Sequence, residues 1–170
     1  MLQLPGPNSS LVFIPHSKPF NVGTHAGKDL RTHSLSEAIA MLLRQNHAND
    51  VVVVHYYVHN SFYPFHMYRM RVQYARRVIE KALDTHPEMK VIIRGPHVIY
   101  RGKQHHAQFG DNFGPQYTQI WKEEFRELYH KVWFLDLWDL SIAMENMTSH
   151  PPQNIVLQMI RALFGYFCEL

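Results

Sequence analysis

The sequence is poor in cysteine, in charge and in long apolar runs, and each scarcity excludes a class of protein. The single cysteine, Cys168, excludes a disulfide-stapled fold and a zinc ribbon. The apolar run Val51–Val54 is far too short to span a bilayer, and no pattern typical of an export signal follows Met1. A composition of 18% charged and 46% hydrophobic residues is that of a globular chain, which excludes a disordered one.

The charge and the histidines indicate no nucleic-acid, membrane or metal partner. The net charge is only +3, and acidic residues lie among the basic ones between Arg69 and Lys81, as on the solvated face of a helix. The 13 histidines show no metal-ligand spacing, since His105 and His106 are adjacent. We therefore expect no metal, no cofactor, no nucleic acid and no membrane insertion by this chain. The sequence leaves its oligomeric state open.

Apolar runs of strand type alternate with helical patterns along the chain. Ser34 and Glu37 form a capping box, in which each side chain can bond the other residue's backbone N–H where a helix begins. Uninterrupted β-branched runs predict strands that are buried on both faces, and apolar residues three or four apart predict helices. The predicted strands are Leu11–Ile14, Val51–Tyr56, Val91–Ile93 and Val132–Leu135, and the predicted helices begin near Ser34, Pro64, Gly114 and Pro151.

This alternation predicts an α/β fold, in which a mostly parallel sheet lies between two helical layers in a three-layer sandwich. We expect a single domain over residues 11–170, with a loop start at residues 1–10. The helix after Pro64 is expected to turn its apolar stripe to the core. That stripe consists of Met67, Met70, Tyr74, Val78 and Ala82.

Polar side chains follow three of the predicted strands, where ligands bind in parallel sheets. His150 is a candidate general base, because imidazole titrates near neutral pH, and Asp139 or Glu145 could fix its tautomer. Each candidate also has a structural interpretation, as a loop histidine, a turn residue or a helix cap. The candidates are His59 and Asn60 after the first of these strands, Arg94 and His97 after the second, and Asp136, Asp139 and His150 after the third.

The serine nucleophile of common hydrolases is absent from these 170 residues. Neither Gly-Asp-Ser nor Gly-x-Ser-x-Gly occurs, and the nearest match, Gly110-Asp111-Asn112, lacks the hydroxyl group. Ser61 and Ser149 do not lie in a strand-to-helix elbow. Four of the candidates, His59, Asp136, Asp139 and His150, have side chains of the kind that bind the metal ion of a metal-dependent hydrolase. Such a hydrolase is a weaker hypothesis for the function of this chain.

Several stretches together resemble the carboxyl-terminal domain of the neurexophilin and PC-esterase (NXPE) family, a member of the SGNH/GDSL-like esterase superfamily. The combination is more specific than any one part, and it covers most of the chain from about residue 13. The matching stretches are VVVVHYYVHNSFYPFHMYRMR at 51–71, VIIRGPHVIY at 91–100, FLDLWDLSIA at 134–143, and HPPQNIV with the terminal FGYFC between 150 and 168.

The resemblance implies an α/β/α sandwich of the SGNH kind and an acyl-ester hydrolase or O-acyltransferase that acts on glycans or glycoproteins in the secretory pathway. It assigns His150 as the base and His59 to an oxyanion or substrate contact. Asn60, Arg94 and His97, from their positions after the strands, are further candidates for such contacts. It also implies that the Gly-Asp-Ser block lies upstream of Leu11, so that we expect an amino-terminally truncated, inactive chain.

The sequence departs from the family pattern at one position, and the resemblance gives meaning to the sequons and to Cys168. The acid expected three residues before His150 is replaced by Met147. In a secreted protein the sequons at Asn8 and Asn146 would be glycosylation sites, and Cys168 would have a partner elsewhere in the protein. The alternative function is that of a non-catalytic SGNH-like domain, which binds a glycan or a protein through the same cleft.

Overall fold

The computed structural model describes residues 12–14, 33–44, 51–57, 63–98, 113–146, 148 and 150–168. The chain divides into two compact units, residues 1–47 and residues 48–170, and each is described by itself. The single domain over residues 11–170 stays a prediction. The loop start at residues 1–10 lies outside the described residues.

In the first unit, helix α1 spans Leu35–Leu43 and begins at the predicted capping box. The Ser34 hydroxyl accepts a hydrogen bond from the Glu37 N–H at 3.2 Å, and the Glu37 carboxylate accepts one from the Ser34 N–H at 2.7 Å. The strand predicted at Leu11–Ile14 is wrong for its described residues 12–14, which form no strand. Phe13 is 77% exposed, and an apolar run becomes a strand only where a neighbouring strand pairs with it.

In the second unit, three parallel strands form a sheet of order β1-β2-β3 in the described part of the chain. Strand β1 is Val51–Val54, β2 is Lys90–Arg94 and β3 is Val132–Leu135. In the register of the sheet, Val52 pairs with Val91, which pairs in turn with Val132. Together with the helices, this parallel sheet confirms the predicted α/β class.

Helices lie on both faces of this sheet. Helix α2 is Phe65–Thr85, α3 is Phe113–Glu124, α4 is Trp138–Ala143 and α5 is Gln153–Cys168, and a 3-10 turn, Arg126–Leu128, follows α3. Helix α3 approaches one face, where the Lys122 ammonium lies 5.3 Å from the centre of the Phe134 ring. Helix α5 covers the other face, where Ile155 and Met159 pack in one buried cluster with Ile92 and Leu135. No helix of the described residues has both the length and the apolarity needed to cross a membrane.

Strand β1 differs from its prediction, because only one of its faces is buried. Val52 and Val54 are buried, whereas Val51 and Val53 are each 37% exposed. Among the described strands β1 lies at an edge of the sheet, so that its outer face lacks the cover that central β2 receives. The prediction of a strand buried on both faces is therefore wrong for β1 and holds for the interior of β2, Val91–Ile93.

Helix α2 turns a different face to the core from the one predicted. Met67, Met70 and Tyr74 are exposed, and of the predicted stripe only Ala82 is buried. The reason is Tyr68, whose hydroxyl donates to the Tyr56 carbonyl oxygen at 2.7 Å and accepts from the Trp121 indole N–H at 2.8 Å. These bonds fix the rotation of the helix about its axis. The face that is buried consists of Tyr68, Val72, Ala75, Ile79, Ala82 and Leu83.

Candidate functional site

The carboxyl ends of the three strands form one edge of the sheet, here called the carboxyl edge, made of residues 55–57, 94–98 and 136–137. Its segments are joined by hydrogen bonds. The His55 Nδ1 lies 2.9 Å from the Arg94 carbonyl oxygen, and the Gly95 N–H donates to the Leu135 carbonyl oxygen at 2.9 Å. Because a carbonyl oxygen only accepts, Nδ1 of His55 carries a proton, which makes Nε2 the acceptor of the neutral ring.

Arg94, at the end of the central strand, is a partly buried cation without a carboxylate partner in the part of the chain that the structure describes. Among the described residues, its one side-chain hydrogen-bond contact is between Nη2 and the Met159 thioether sulfur, at 3.5 Å. Burial lowers the pKa of the Arg94 guanidinium to about 10. A desolvated guanidinium is unfavourable unless an anion or a polar oxygen compensates it, and a ligand can supply one.

His97 and Tyr57 pack against each other at the same edge. His97 is only 4% exposed, and its ring meets the Tyr57 ring edge-on with 5.6 Å between the centroids. Tyr57 itself contacts the Tyr117 ring at 6.1 Å. A chain of ring contacts therefore runs from Tyr117 on α3 through Tyr57 to His97, and it packs against the segment that follows Arg94 at the carboxyl edge.

The two predicted aspartates lie on the surface at the start of α4. Asp136 is exposed, accepts a hydrogen bond from the Trp138 N–H at 3.1 Å and lies 3.4 Å from the Lys122 ammonium. Its carboxylate therefore caps a turn, which is the structural interpretation that the sequence left open. Asp139 is exposed in the first turn of α4.

A buried hydroxyl joins α4 to the segment after β2. Ser141 is fully buried, donates to the Trp138 carbonyl oxygen at 2.7 Å and accepts from the Val98 N–H at 2.8 Å. The hydroxyl thus uses both its donor and an acceptor site inside the protein. This rules out Ser141 as a free nucleophile in this conformation and makes it a link within the carboxyl edge.

The loop before His150 is fixed to the same segment by a buried amide. Asn146, which is 2% exposed, donates through Nδ2 to the Val98 carbonyl oxygen at 2.7 Å and to the Thr148 carbonyl oxygen at 3.1 Å. The Asn146 N–H also donates to the Ser141 carbonyl oxygen at 2.9 Å. Thr148 in turn donates to the His150 carbonyl oxygen at 2.7 Å. The segments that carry His97 and His150 are therefore connected through Val98.

The ring of His150 is exposed, and among the described residues no hydrogen bond or ion pair joins it to Asp136, Asp139 or Glu145. The backbone of His150 is thus bonded to the carboxyl edge, while none of these three carboxylates contacts its imidazole. The assignment of His150 as base, with Asp139 or Glu145 as its partner and Asp136 as a further catalytic candidate, stays a prediction. His59, Asn60 and Asn8 lie outside the described residues.

Within the described residues, no three His, Cys, Asp or Glu side chains are placed to hold a metal ion together. The tertiary structure adds three residues that sequence reasoning missed: His55, Ser141 and Thr148. The sequence places His55 inside the predicted strand Val51–Tyr56, whereas the observed strand ends at Val54. An imidazole that directly follows the valine run is itself a signal. Ser141 and Thr148 gave no such signal, because each bonds a partner that only the fold supplies.

A family model described as "NXPE family member 4-like, C-terminal domain" matches residues 5–168 of the chain. The match covers nearly the whole sequence, including all the described segments of the carboxyl edge. No solved structure matches the chain significantly.

Proposed function

Since the chain belongs to the family of NXPE family member 4-like C-terminal domains, we propose that its carboxyl edge binds an acylated glycan or glycoprotein for acyl-ester hydrolysis or acyl transfer. The chain lacks a Gly-Asp-Ser block, so that the serine of such a reaction has to come from outside these 170 residues. By itself the chain binds without reacting. The proposed location of this activity is the secretory pathway.

The observation that carries the proposal is the guanidinium of Arg94, which pairs with no carboxylate within the segments that the structure describes. Buried charges in proteins are normally matched by an opposite charge, and Arg94 has only a thioether sulfur within hydrogen-bonding distance among the described residues. A fork of N–H donors at the end of a central parallel strand suits a carbonyl or carboxylate oxygen of a ligand. Arg94 is accordingly proposed as the substrate or oxyanion contact.

In the proposed reaction, a serine hydroxyl attacks the acyl carbonyl and His150 accepts its proton. The bond between the acyl carbon and the glycan oxygen then breaks, and the same proton passes to that oxygen as it leaves. Water or a second hydroxyl group then attacks the acyl carbon of the acyl-serine while His150 accepts its proton. The bond between the acyl carbon and the serine oxygen breaks, and the proton passes from His150 to that oxygen. The guanidinium of Arg94 stabilises the negative oxygen that develops at the acyl carbon.

Replacement of Arg94 by methionine tests the proposal, because it separates binding from stability. Arg94→Met removes a desolvated charge while keeping most of the side-chain volume. We therefore expect a free energy of unfolding that is unchanged or higher by about 1 kcal/mol. Binding to an array of O-acetylated oligosaccharides, in neutral and carboxylated forms, should fall at least about tenfold.

Arg77→Met is the matched control, since Arg77 is exposed on α2 and has no ion-pair partner in the described structure. It should leave both quantities unchanged. An Arg94→Met variant that is destabilised and still binds would make Arg94 a structural residue and would overturn the proposal.

A non-catalytic binding domain is the second candidate, favoured by the exposed His150 ring, which contacts no carboxylate among the described residues. Labelling with a fluorophosphonate probe distinguishes the two candidates. This chain should not be labelled in either case. A longer product of the same gene should be labelled if the domain serves catalysis, and a failure there would leave only the binding function.

A further inference from the structure

We propose that the triplet Asn146-Met147-Thr148 is an internal clamp that positions the His150 loop, and that its asparagine does not carry a glycan. The clamp consists of Val98, Ser141, Asn146 and Thr148. It joins the segment after β2 to the loop between α4 and α5. The sequon pattern is therefore explained by hydrogen bonding inside the fold.

Both N–H groups of the Asn146 amide are used inside the protein. One donates to Val98 and one to the carbonyl oxygen of Thr148, and the amide Oδ1 lies 3.3 Å from the Thr148 hydroxyl. The side chain is almost completely removed from water. A buried polar group of this kind is costly when it loses its partners, so that the arrangement favours a single loop conformation.

The backbone around the amide supports this assignment. Glu145 has a φ of 51°, in the left-handed region that residues other than glycine rarely adopt. Such a conformation persists where surrounding contacts hold it, and here the next residue is fixed by the bond from its N–H to the Ser141 carbonyl oxygen. The turn at Glu145 thereby directs the Asn146 side chain inward.

Thr148 passes this constraint on to His150. Its hydroxyl has one proton, and the contact with the His150 carbonyl oxygen, at 2.7 Å, is shorter than the contact with Asn146 Oδ1, at 3.3 Å. The short bond therefore holds the backbone of His150 directly before the two prolines that precede α5. Asn146 and Thr148 are positioning residues, and their service to a reaction at His150 rests on the proposed function.

Glycosylation of Asn146 is incompatible with this geometry. The modification replaces one hydrogen of Nδ2 by a sugar, so that one of the two donated bonds is lost. The sugar would also have to occupy the position of the Val98 or the Thr148 carbonyl group, at a side chain that is 2% exposed. A glycan at Asn146, as the sequon predicts, would therefore require the clamp to open.

Amide hydrogen exchange on the full chain tests the clamp independently of any activity. In Asn146→Asp, a carboxylate replaces the donating amide and faces two carbonyl oxygens. The lost bond holds the Val98 carbonyl oxygen, 48 residues away in sequence, and the N–H of the same residue donates to the Ser141 hydroxyl inside the clamp. When the clamp loosens, the exchange of this Val98 N–H should become about tenfold faster. The amides of the central strand β2 should change less than about twofold, since a general loss of stability would affect them too.

A second pair of variants tests the link to His150. In uniformly ¹³C-histidine-labelled protein, Thr148→Val removes the hydroxyl at nearly constant volume and should shift or broaden the His150 ring signals, which His150→Gln identifies. Thr148→Ser keeps the hydroxyl and should restore the signals of the unmodified chain. An unchanged Val98 amide in Asn146→Asp, or His150 signals that are the same in Thr148→Val and Thr148→Ser, would overturn the clamp.

Mass spectrometry of the chain secreted behind a heterologous signal peptide tests the modification. After treatment with peptide N-glycosidase in ¹⁸O water, we expect no ¹⁸O at residue 146. Incorporation there would show a glycan on Asn146 and would contradict the inference. None of these measurements depends on the ligand of Arg94, so that a failure of the clamp and a failure of the proposed function remain distinguishable.

Discussion

At the scale of single residues, two glycines in helices differ in how closely other side chains approach them. Gly114, in the first turn of α3, lies so close to the Trp138 ring that a Cβ atom at this position would overlap it. Gly165, near the end of α5, has nothing within 4 Å of the corresponding point. Gly114 is therefore required for the contact between α3 and α4, whereas Gly165 is not required by packing.

We predict that Gly114→Ala lowers the free energy of unfolding by about 1 to 3 kcal/mol, because Trp138 has to move out of its packed position. Gly165→Ala should raise it by up to about 1 kcal/mol, since alanine loses less conformational entropy than glycine in a helix. Urea unfolding followed by circular dichroism measures both changes. Equal effects of the two substitutions would show that the approach of Trp138 does not constrain residue 114.

At the scale of the elements, ion pairs hold α2 and α3 together. Arg69 binds Glu123 at 2.6 Å and Glu124 at 2.7 Å. Two turns further along α2, the Arg76 side chain contacts Glu127 and donates from Nη1 to the Glu124 carbonyl oxygen at 2.8 Å. The basic cluster that the sequence assigned to a solvated helix face thus partly serves an interface within the domain. The absence of a nucleic-acid partner stays a prediction.

Replacement of Arg76 should weaken this interface. Arg76 makes three hydrogen bonds, to Glu80, to Glu127 and to the end of α3, so that Arg76→Gln should lower the free energy of unfolding by about 1 kcal/mol. The loss should shrink in 1 M salt, where ion pairs are screened (the Debye length is about 3 Å), while the bond to the carbonyl oxygen is less affected. Thermal or urea unfolding at low and high salt measures it.

Arg77→Gln is the control on the same helix, because Arg77 is exposed and makes none of these contacts. Its effect should stay within about 0.5 kcal/mol at either salt concentration. If both variants lose the same amount, helix propensity or net charge accounts for the change, and the pairing of α2 with α3 does not.

At the scale of the whole molecule, three tyrosines, one at the carboxyl edge, one on α2 and one on α3, should make the free energy of unfolding fall at alkaline pH. Burial raises the pKa of Tyr56 to about 12, and burial also raises the pKa values of Tyr68 and Tyr117. An unfolded chain releases these protons near the ordinary tyrosine pKa, about 10. The folded chain therefore binds more protons than the unfolded chain between pH 10 and 12.

The free energy of unfolding should accordingly be unaffected by these groups below pH 10 and should fall as the pH rises from 10 to 12. A pKa shift of about two units for Tyr56 corresponds to roughly 2 to 3 kcal/mol at pH 12. In Tyr56→Phe the fall between pH 9 and pH 11.5, as measured by urea unfolding, should be smaller by about 2 kcal/mol. Tyr129→Phe, which removes an exposed phenol, should retain the fall, and a Tyr56→Phe variant with an unchanged slope would contradict the prediction.

Local patterns in the sequence determined the fold class and most of the elements. The alternation of strand and helix patterns gave the parallel α/β arrangement, and the capping box placed the start of α1. The spacing of Tyr117, Trp121, Phe125 and Leu128 predicts the core face of the helix that begins near Gly114. The three aromatic residues of this set are buried, and Leu128, which follows α3 in the 3-10 turn, is half-buried. Such predictions succeed because periodicity and capping depend on residues only a few positions apart. The same reasoning put Arg94 and His97 at the carboxyl edge.

Only the tertiary structure decided which of two apolar faces α2 buries, which face of β1 stays open, and what the polar residues near His150 do. Met67 and Met70 are as apolar as the buried residues of α2, and the bonds of Tyr68 to Tyr56 and Trp121 select between the two faces. The hydrogen bond from Asn146 to Val98 spans 48 residues and leaves no local trace. A short motif such as a sequon reveals its role only when the fold supplies its partner, because a hydrogen bond depends on distance in space.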